Sequence, residues 1–209
     1  MILKKFTLDS LDSLLKKAYT ELYKFEQEKS DQKCIWGFFP GFEEGERDLY
    51  PQCFKLKKLL DKNFTRITGQ ADRMELSFIK IASKKPPVEF GGLHLDTDVS
   101  STEDSSHQGH ILRLILNLGT YPRDLKYTKY TATQLKAMGV EIARGEYRPI
   151  NLPANIPTSV VKIPPRNRDT LSGLLFWASE IPHVGLTNEH GYFIAGYGGV
   201  FKEIFDLKN

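Results

Sequence analysis

The stretch Gly91-Gly92-Leu93-His94-Leu95-Asp96-Thr97 sets how the rest of this chain is read. On an extended segment alternate side chains project to the same side, so His94 and Asp96 present an imidazole and a carboxylate together. At that spacing two ligand types can grip one metal ion. The third donor lies far downstream in Leu174-Leu175-Phe176-Trp177-Ala178-Ser179-Glu180-Ile181-Pro182-His183-Val184-Gly185, where a hydrophobic run ends in a histidine. A His-x-Asp alone is commonly an ordinary surface pair, and it is the addition of His183 that turns it into a candidate metal triad.

Two imidazoles and one carboxylate on one face of an octahedral ion, with other positions open, form the ligand set of non-heme Fe(II) oxygenases. Those three ligands leave a ferrous ion net positive, able to take an anionic chelating cosubstrate and still offer a position to O2.

Bulk properties narrow the class. The 209 residues, 40% hydrophobic and 26% charged, are of one-domain size with a sizeable core. The expected layout is a single domain over 1–209, with helical N-terminal support over 1–70 and a strand-rich core over 71–209 that carries an insertion at 119–158. Without a bilayer-length apolar run or a signal-peptide pattern, the expectation is a cytoplasmic protein with no membrane partner. The 29 basic and 26 acidic residues are dispersed, so nucleic acid is not an expected partner. Cys34 and Cys53, without a secretory signal, read as reduced thiols.

Working outward, Leu8, Leu11, Leu14, Leu15, Ala18, Leu22 and Phe25 make one apolar stripe, which predicts a helix over 9–28 capped by Asp9 or Ser10. The aromatic stretch from Cys34 to Phe42, broken by Gly37, Pro40 and Gly41, is a strand or loop that either packs on the core or walls a substrate site. Pro51 opens a second helix running to Lys62, with Phe54, Leu56, Leu59 and Leu60 on its buried side. From Arg73 the period becomes alternating, Met74, Leu76 and Phe78 against Glu75, Ser77, Ile79 and Ile81, and strands begin. Lys84-Lys85-Pro86-Pro87 reads as a turn, and the polar, acidic stretch 100–109 as an exposed loop or a lid beside the triad.

His110-Ile111-Leu112-Arg113-Leu114-Ile115-Leu116-Asn117-Leu118 is the strongest strand. Leu112, Leu114 and Leu116 make one face apolar, while the other sets Arg113 between Ile111 and Ile115. A guanidinium so placed needs an anion, either a protein carboxylate or a ligand carboxylate held by its two-pronged donors. Asn117, on the same face, is a possible polar helper. From 119 to 165 the strand rhythm breaks. Thr131 with Gln134 resembles a capping box, Leu135, Met138 and Ile142 repeat at helical spacing, and Gly145 is a natural stop, which predicts a short helix. Strands resume at 159–163, 173–181 and 192–197. His107, His110 and His190 read as surface or strand-edge residues.

Helices first, then short strands with a helical insertion, with His-x-Asp early and His late: this pattern resembles the 2-oxoglutarate and Fe(II)-dependent dioxygenases over about residues 74–199. Its most telling block is Gly173-Leu174-Leu175-Phe176 before Pro182-His183-Val184-Gly185, then Asn188-Glu189-His190-Gly191-Tyr192-Phe193. The resemblance implies a mainly β, α+β fold whose core is a double-stranded β-helix of the jelly-roll or cupin-like kind. It further implies Fe(II) held by His94, Asp96 and His183, with 2-oxoglutarate as cosubstrate and O2 hydroxylating a small molecule or an amino-acid-like substrate. The sequence departs from the family at one point. Many members carry an arginine or lysine shortly past the distal histidine to hold the far carboxylate of 2-oxoglutarate, whereas here that neighbourhood reads Tyr192-Phe193-Ile194. Arg113, helped by Asn117, is then the expected anchor, with Arg166 and Arg168 next. Missing that late cation favours a second reading, a cupin-like metal or small-molecule binding protein without oxygenase activity. A third, an interaction protein whose three candidate ligands never meet, stands because fold does not dictate function.

Overall fold

The computed structural model describes residues 1–9, 11–28, 36–40, 46–68, 74–83, 92–96, 109–142, 149–186 and 190–207. Cys34, His107, the 84–87 turn and most of the 100–109 loop lie outside them. In chain order the elements are β1 (Ile2–Thr7), α1 (Leu11–Glu28), β2 (Trp36–Phe38), α2 (Glu46–Leu49), α3 (Pro51–Thr68) and β3 (Glu75–Ala82), followed by β4 (His110–Asn117), β5 (Arg123–Thr128), α4 (Ala132–Ala137), β6 (Thr158–Ile163), β7 (Thr170–Trp177), β8 (His183–Gly185) and β9 (Tyr192–Phe201).

All the strand pairs are antiparallel, in a six-stranded sheet ordered β1-β7-β4-β9-β3-β2 and a three-stranded sheet ordered β6-β5-β8. The alternation in β4 assigns the two faces of the larger sheet. Leu112, Leu114 and Leu116 join the main core with Leu11, Leu15, Ala18 and Leu22 of α1 and Leu56 and Leu60 of α3, so the helices cover the outer face. Ile111 and Ile115 turn inward, where Ile111 packs with Leu174 and Phe176 of β7 and with Leu125 and Ile163 of the smaller sheet. Each of these burials is worth roughly 1.5–3 kcal/mol, which makes the leucine row of β4 the seam between helices and sheets.

The two helices are also joined by charge. Glu21 of α1 accepts hydrogen bonds from the backbone N–H groups of Gln52 and Cys53, at 2.9–3.1 Å, so a carboxylate from one helix satisfies the unpaired donors of the other's first turn. Cys53 is a free, buried thiol.

Several sequence expectations need correction. The register slips between Leu76 and Phe78, so Leu76, Ile79 and Ile81 lie together in the core under the helices instead of alternating as a simple strand would. The region 119–158 is not merely an insertion, because it contributes β5, the central strand of the smaller sheet. Its alternating Arg-Asp-Leu-Lys-Tyr-Thr is short and mostly polar, which hid it. The N-terminal region is likewise not only helical, since β1 and β2 form the two edges of the larger sheet. Thr131 and Gln134 do form the capping box of α4, but the helix stops at Met138 and Gly139, whose φ of +82° is a left-handed turn that a glycine adopts freely. Among the described residues no helix is long and apolar enough to cross a membrane.

Candidate metal centre

His94 and His183 are fixed by one another's backbones. The N–H of each donates to the C=O of the other at 3.0 Å, closing an isolated antiparallel bridge, while the Asp96 N–H donates to the Ala178 carbonyl at 3.0 Å. His183 opens β8 opposite Tyr127 of β5, and Phe176 stands edge-on to its ring at 4.8 Å. A hydrophobic strand that ends and turns back thus delivers the late histidine to the early pair.

The side chains complete the geometry. His94 Nδ1 lies 3.1 Å from the Gly92 carbonyl and His183 Nδ1 lies 2.9 Å from the Ile181 carbonyl. A carbonyl can only accept, so each Nδ1 carries the proton and each Nε2 is left with a lone pair. Both Nε2 atoms face the same oxygen, Asp96 Oδ1, at 3.8 Å from His94 and 3.6 Å from His183. The potential ligand atoms all lie within 4.8 Å of one another. Nitrogen and oxygen donors about 2.0–2.2 Å from a common ion stand roughly 3 to 3.5 Å apart. A small closure of these side chains would suffice, and two neutral imidazoles with one carboxylate suit a divalent first-row ion.

The second carboxylate oxygen is occupied by protein. Arg113 sets Nη2 at 2.6 Å and Nε at 2.8 Å from Asp96 Oδ2, and its Nη1 donates to Ser77 Oγ at 3.1 Å. Burial alone would raise the Asp96 pKa, but Arg113 and the two imidazoles outweigh it and hold the carboxyl below its ordinary range. Burial likewise pushes His183 down to about 4, against a partial upward pull from Asp96. Asp96 is therefore held anionic and His183 neutral, the protonation states a metal requires of those two ligands. Gly198 makes room for this arrangement, since a Cβ there would sit 2.8 Å from Arg113 Nη1.

The structure brings His94, Asp96 and His183 together and gives Arg113 and Asn117 other partners than a ligand. Arg113 takes the first of its two open alternatives, the protein carboxylate, and that carboxylate belongs to the triad itself. Asn117 is buried, and its amide faces the Tyr121, Ile163 and Pro164 carbonyls at 2.8–3.1 Å while its Oδ1 accepts from the Gly119 N–H. It clasps the turn after β4. Of the histidines read as peripheral, His110 pairs with Glu180 at 2.9 Å and His190 is exposed. Arg166 is held by Asp12 at 2.6 Å, and Arg168 is largely exposed.

Two cations were missed from the sequence. Lys80 of β3 lies on the inner face next to Ile194, its Nζ 4.3 Å from the Phe78 ring centroid and 5.0 Å from that of Phe39. Burial first, and Arg113 second, depress its pKa, while Asp96 pulls the other way, so Lys80 senses the triad's charges. Among the described residues no carboxylate lies within ion-pair distance of it. Arg123, at the start of β5, is the second such cation, with only 8% of its surface exposed. The available signal for Lys80 was its place on the same strand face as Phe78; for Arg123 it was the strand itself, which went unread.

No protein-family model and no curated protein matches this sequence. Solved structures do. A crystal structure of the Kdo hydroxylase KdoO, a non-heme Fe(II) α-ketoglutarate-dependent dioxygenase in complex with succinate and Fe(III), is similar with a TM-score of 0.50 at 13% identity, covering 94% of this chain and 88% of that one. Structures of the same hydroxylase with cobalt(II), and with α-ketoglutarate and Fe(III), have TM-scores of 0.48 at 14% identity over the same shares. The chain has the mainly β fold of that dioxygenase, with the helices packed on one face of its larger sheet.

Proposed function

We propose that this protein is a non-heme Fe(II), 2-oxoglutarate-dependent dioxygenase that hydroxylates a small molecule. The observation that carries the reading is the convergence of His94 Nε2, His183 Nε2 and Asp96 Oδ1 on one point. Successive segments pass from one sheet to the other: β3 in the larger, the His94 segment bridged to β8 of the smaller, β4 in the larger, β5 and β6 in the smaller, β7 in the larger, β8 in the smaller, β9 in the larger. We read this winding as a double-stranded β-helix with the triad at its open end.

When bound, iron would supply the activation of O2, coupled to decarboxylation of 2-oxoglutarate to succinate. The chain's own residues would supply ligation, orientation and shelter. His94, Asp96 and His183 hold the ion, the Gly92 and Ile181 carbonyls fix both imidazole tautomers, and Arg113 fixes which Asp96 oxygen points inward. With Arg113 committed to Asp96 and Asn117 to backbone, the far carboxylate of 2-oxoglutarate falls to Lys80. Its Nζ lies on the inner face of β3 against the Phe78 and Phe39 rings, and the charges of Arg113 and Asp96 both act on it.

The test is anaerobic calorimetry with Fe(II), followed by 2-oxoglutarate titration read from the weak visible metal-to-ligand absorbance, and then succinate formation in air. About one Fe(II) should bind, and His94→Ala, Asp96→Ala or His183→Ala should each weaken it severely. Lys80→Met should weaken 2-oxoglutarate by more than tenfold with Fe(II) binding retained. If Arg113→Met does so instead, the anchor is the arginine. Unchanged Fe(II) affinity in all three ligand variants would end the metal reading. Iron binding with no absorbance on adding 2-oxoglutarate would support a metal-binding module on the same fold, which the engagement of Arg113 by Asp96 favours as the second reading.

A further inference from the structure

A cavity of about 300 Å³ opens at the end of the sheets away from the triad, between α1, the turn after β4, and the starts of β5 and β9. Asn117, on its wall, is four residues along β4 from Arg113, roughly 13 Å. None of His94, Asp96 and His183 lines it. Its floor is apolar and aromatic, with Leu15, Leu118 and Phe193, and Tyr19 meets Phe193 edge-on at 5.5 Å. At the rim Tyr121 and His190 stack at 4.1 Å with 17° between their planes.

Among the described residues lining the cavity there are cations and no carboxylate. Arg166 and Lys16, both lining it, share the one carboxylate of Asp12, at 2.6 Å and 2.7 Å. Arg123, the third cation of the lining, has no carboxylate within ion-pair distance among the described residues. Its guanidinium donates to the Leu186 carbonyl and lies 4.5 Å over the Tyr192 ring, seated where Gly185 has no side chain: a Cβ there would fall 2.3 Å from Arg123 Nη2. Glu26, also close to Tyr192, accepts from the Ser83 N–H and does not line the cavity. A guanidinium carries five N–H donors, and burying one with so few partners is costly unless an anion completes them.

We propose that this cavity is a binding site for a small organic carboxylate with an aromatic or similarly flat apolar body, separate from the metal centre and independent of the protein's reaction. The carboxylate meets Arg123 and the Arg166–Lys16 rim. The apolar body lies on Tyr19, Leu118 and Phe193, beneath the Tyr121–His190 stack. At about 300 Å³ the cavity is at the small end of ligand pockets, which suits a single ring better than a nucleotide.

The probe is benzoate, titrated calorimetrically into the full chain in the presence of a chelator, with benzyl alcohol as its neutral counterpart. Benzoate should bind saturably at one site, and benzyl alcohol at least tenfold more weakly, the size of one charge-assisted contact. Arg123→Gln should lower benzoate affinity tenfold or more. Because Arg123 is buried, Lys16→Glu is the companion variant: Lys16 has 70% of its side chain exposed, so inverting the rim charge should leave the fold intact and weaken benzoate severalfold. Absence of saturable benzoate binding would overturn the proposal. So would equal binding of benzyl alcohol, or unchanged benzoate affinity in Lys16→Glu.

Discussion

Replacing Arg113 with methionine tests the centre's electrostatics directly. Arg113 and Asp96 have 18% and 11% of their side chains exposed, and two guanidinium nitrogens of Arg113 lie on a single Asp96 oxygen. Removing one partner of a buried ion pair costs roughly 3–5 kcal/mol, because the other charge stays buried without compensation. Partial exposure and the two nearby imidazoles place this case at the low end, about 3 kcal/mol. For a chain of this size each kcal/mol shifts the melting temperature by roughly 2–4 °C, so metal-free Arg113→Met should melt roughly 6–12 °C below wild type. A divalent ion on Asp96 Oδ1 would supply the missing positive charge, so adding Co(II) should narrow that gap. Asp96→Asn in the same background should recover part of the loss, the signature of coupled sites in a double-mutant cycle. Circular dichroism melts of wild type, Arg113→Met, Asp96→Asn and the double variant, with and without Co(II), provide the measurement. A metal-free Arg113→Met that melts within about 2 °C of wild type would refute the view that Arg113 is what keeps Asp96 ionised and in place.

The metal-free protein should also lose stability on acidification. His183 is held near pKa 4 against an ordinary 6.5, so below pH 6.5 the unfolded chain takes up a proton that the native state refuses; this contribution is complete above 6.5 and lost as pH falls toward 4. Its upper size is about 3 kcal/mol, and Asp96, also held low, extends the loss further into acid. Urea melts at pH 7, 5.5 and 4.5 should show the decline, and the same decline in His183→Asn would show that this histidine is not its source. At Gly196 a Cβ would come within 2.2 Å of the Phe78 ring, so Gly196→Ala should cost about 1–3 kcal/mol in chemical denaturation as the ring is displaced. A neutral result there would mean that the inner face is looser than the packing of Phe78 and Lys80 implies.

The pairing of His94 with Asp96 was legible in the sequence because period-two alternation is local. Two residues apart on an extended chain means one side of it, whatever the rest of the fold does, and His94 with Asp96 follows from that alone. The faces of β4 were equally plain, since its leucines alternate without interruption, and Thr131 with Gln134 specified a helix start through contacts within one turn. The bulge in β3 was not legible, because one extra residue reverses every later side chain and shows only in the pairing with β9. Nor was β5, whose polar strand earns its place by pairing β6 on one side and β8 on the other.

By itself, then, the sequence determined that His94 and Asp96 share one side of an extended segment, the strand that carries Arg113 and that strand's need for an anion. Only the tertiary structure decided which anion, because Asp96 and Arg113 meet across sheets through backbone pairing between His94 and His183 and between Asp96 and Ala178. The same long-range pairing left Lys80 on the inner face of β3 and Arg123 at the far end, each without a carboxylate partner among the described residues. Whether a buried charge is matched depends on which strands lie opposite it, and no local pattern of residues encodes that.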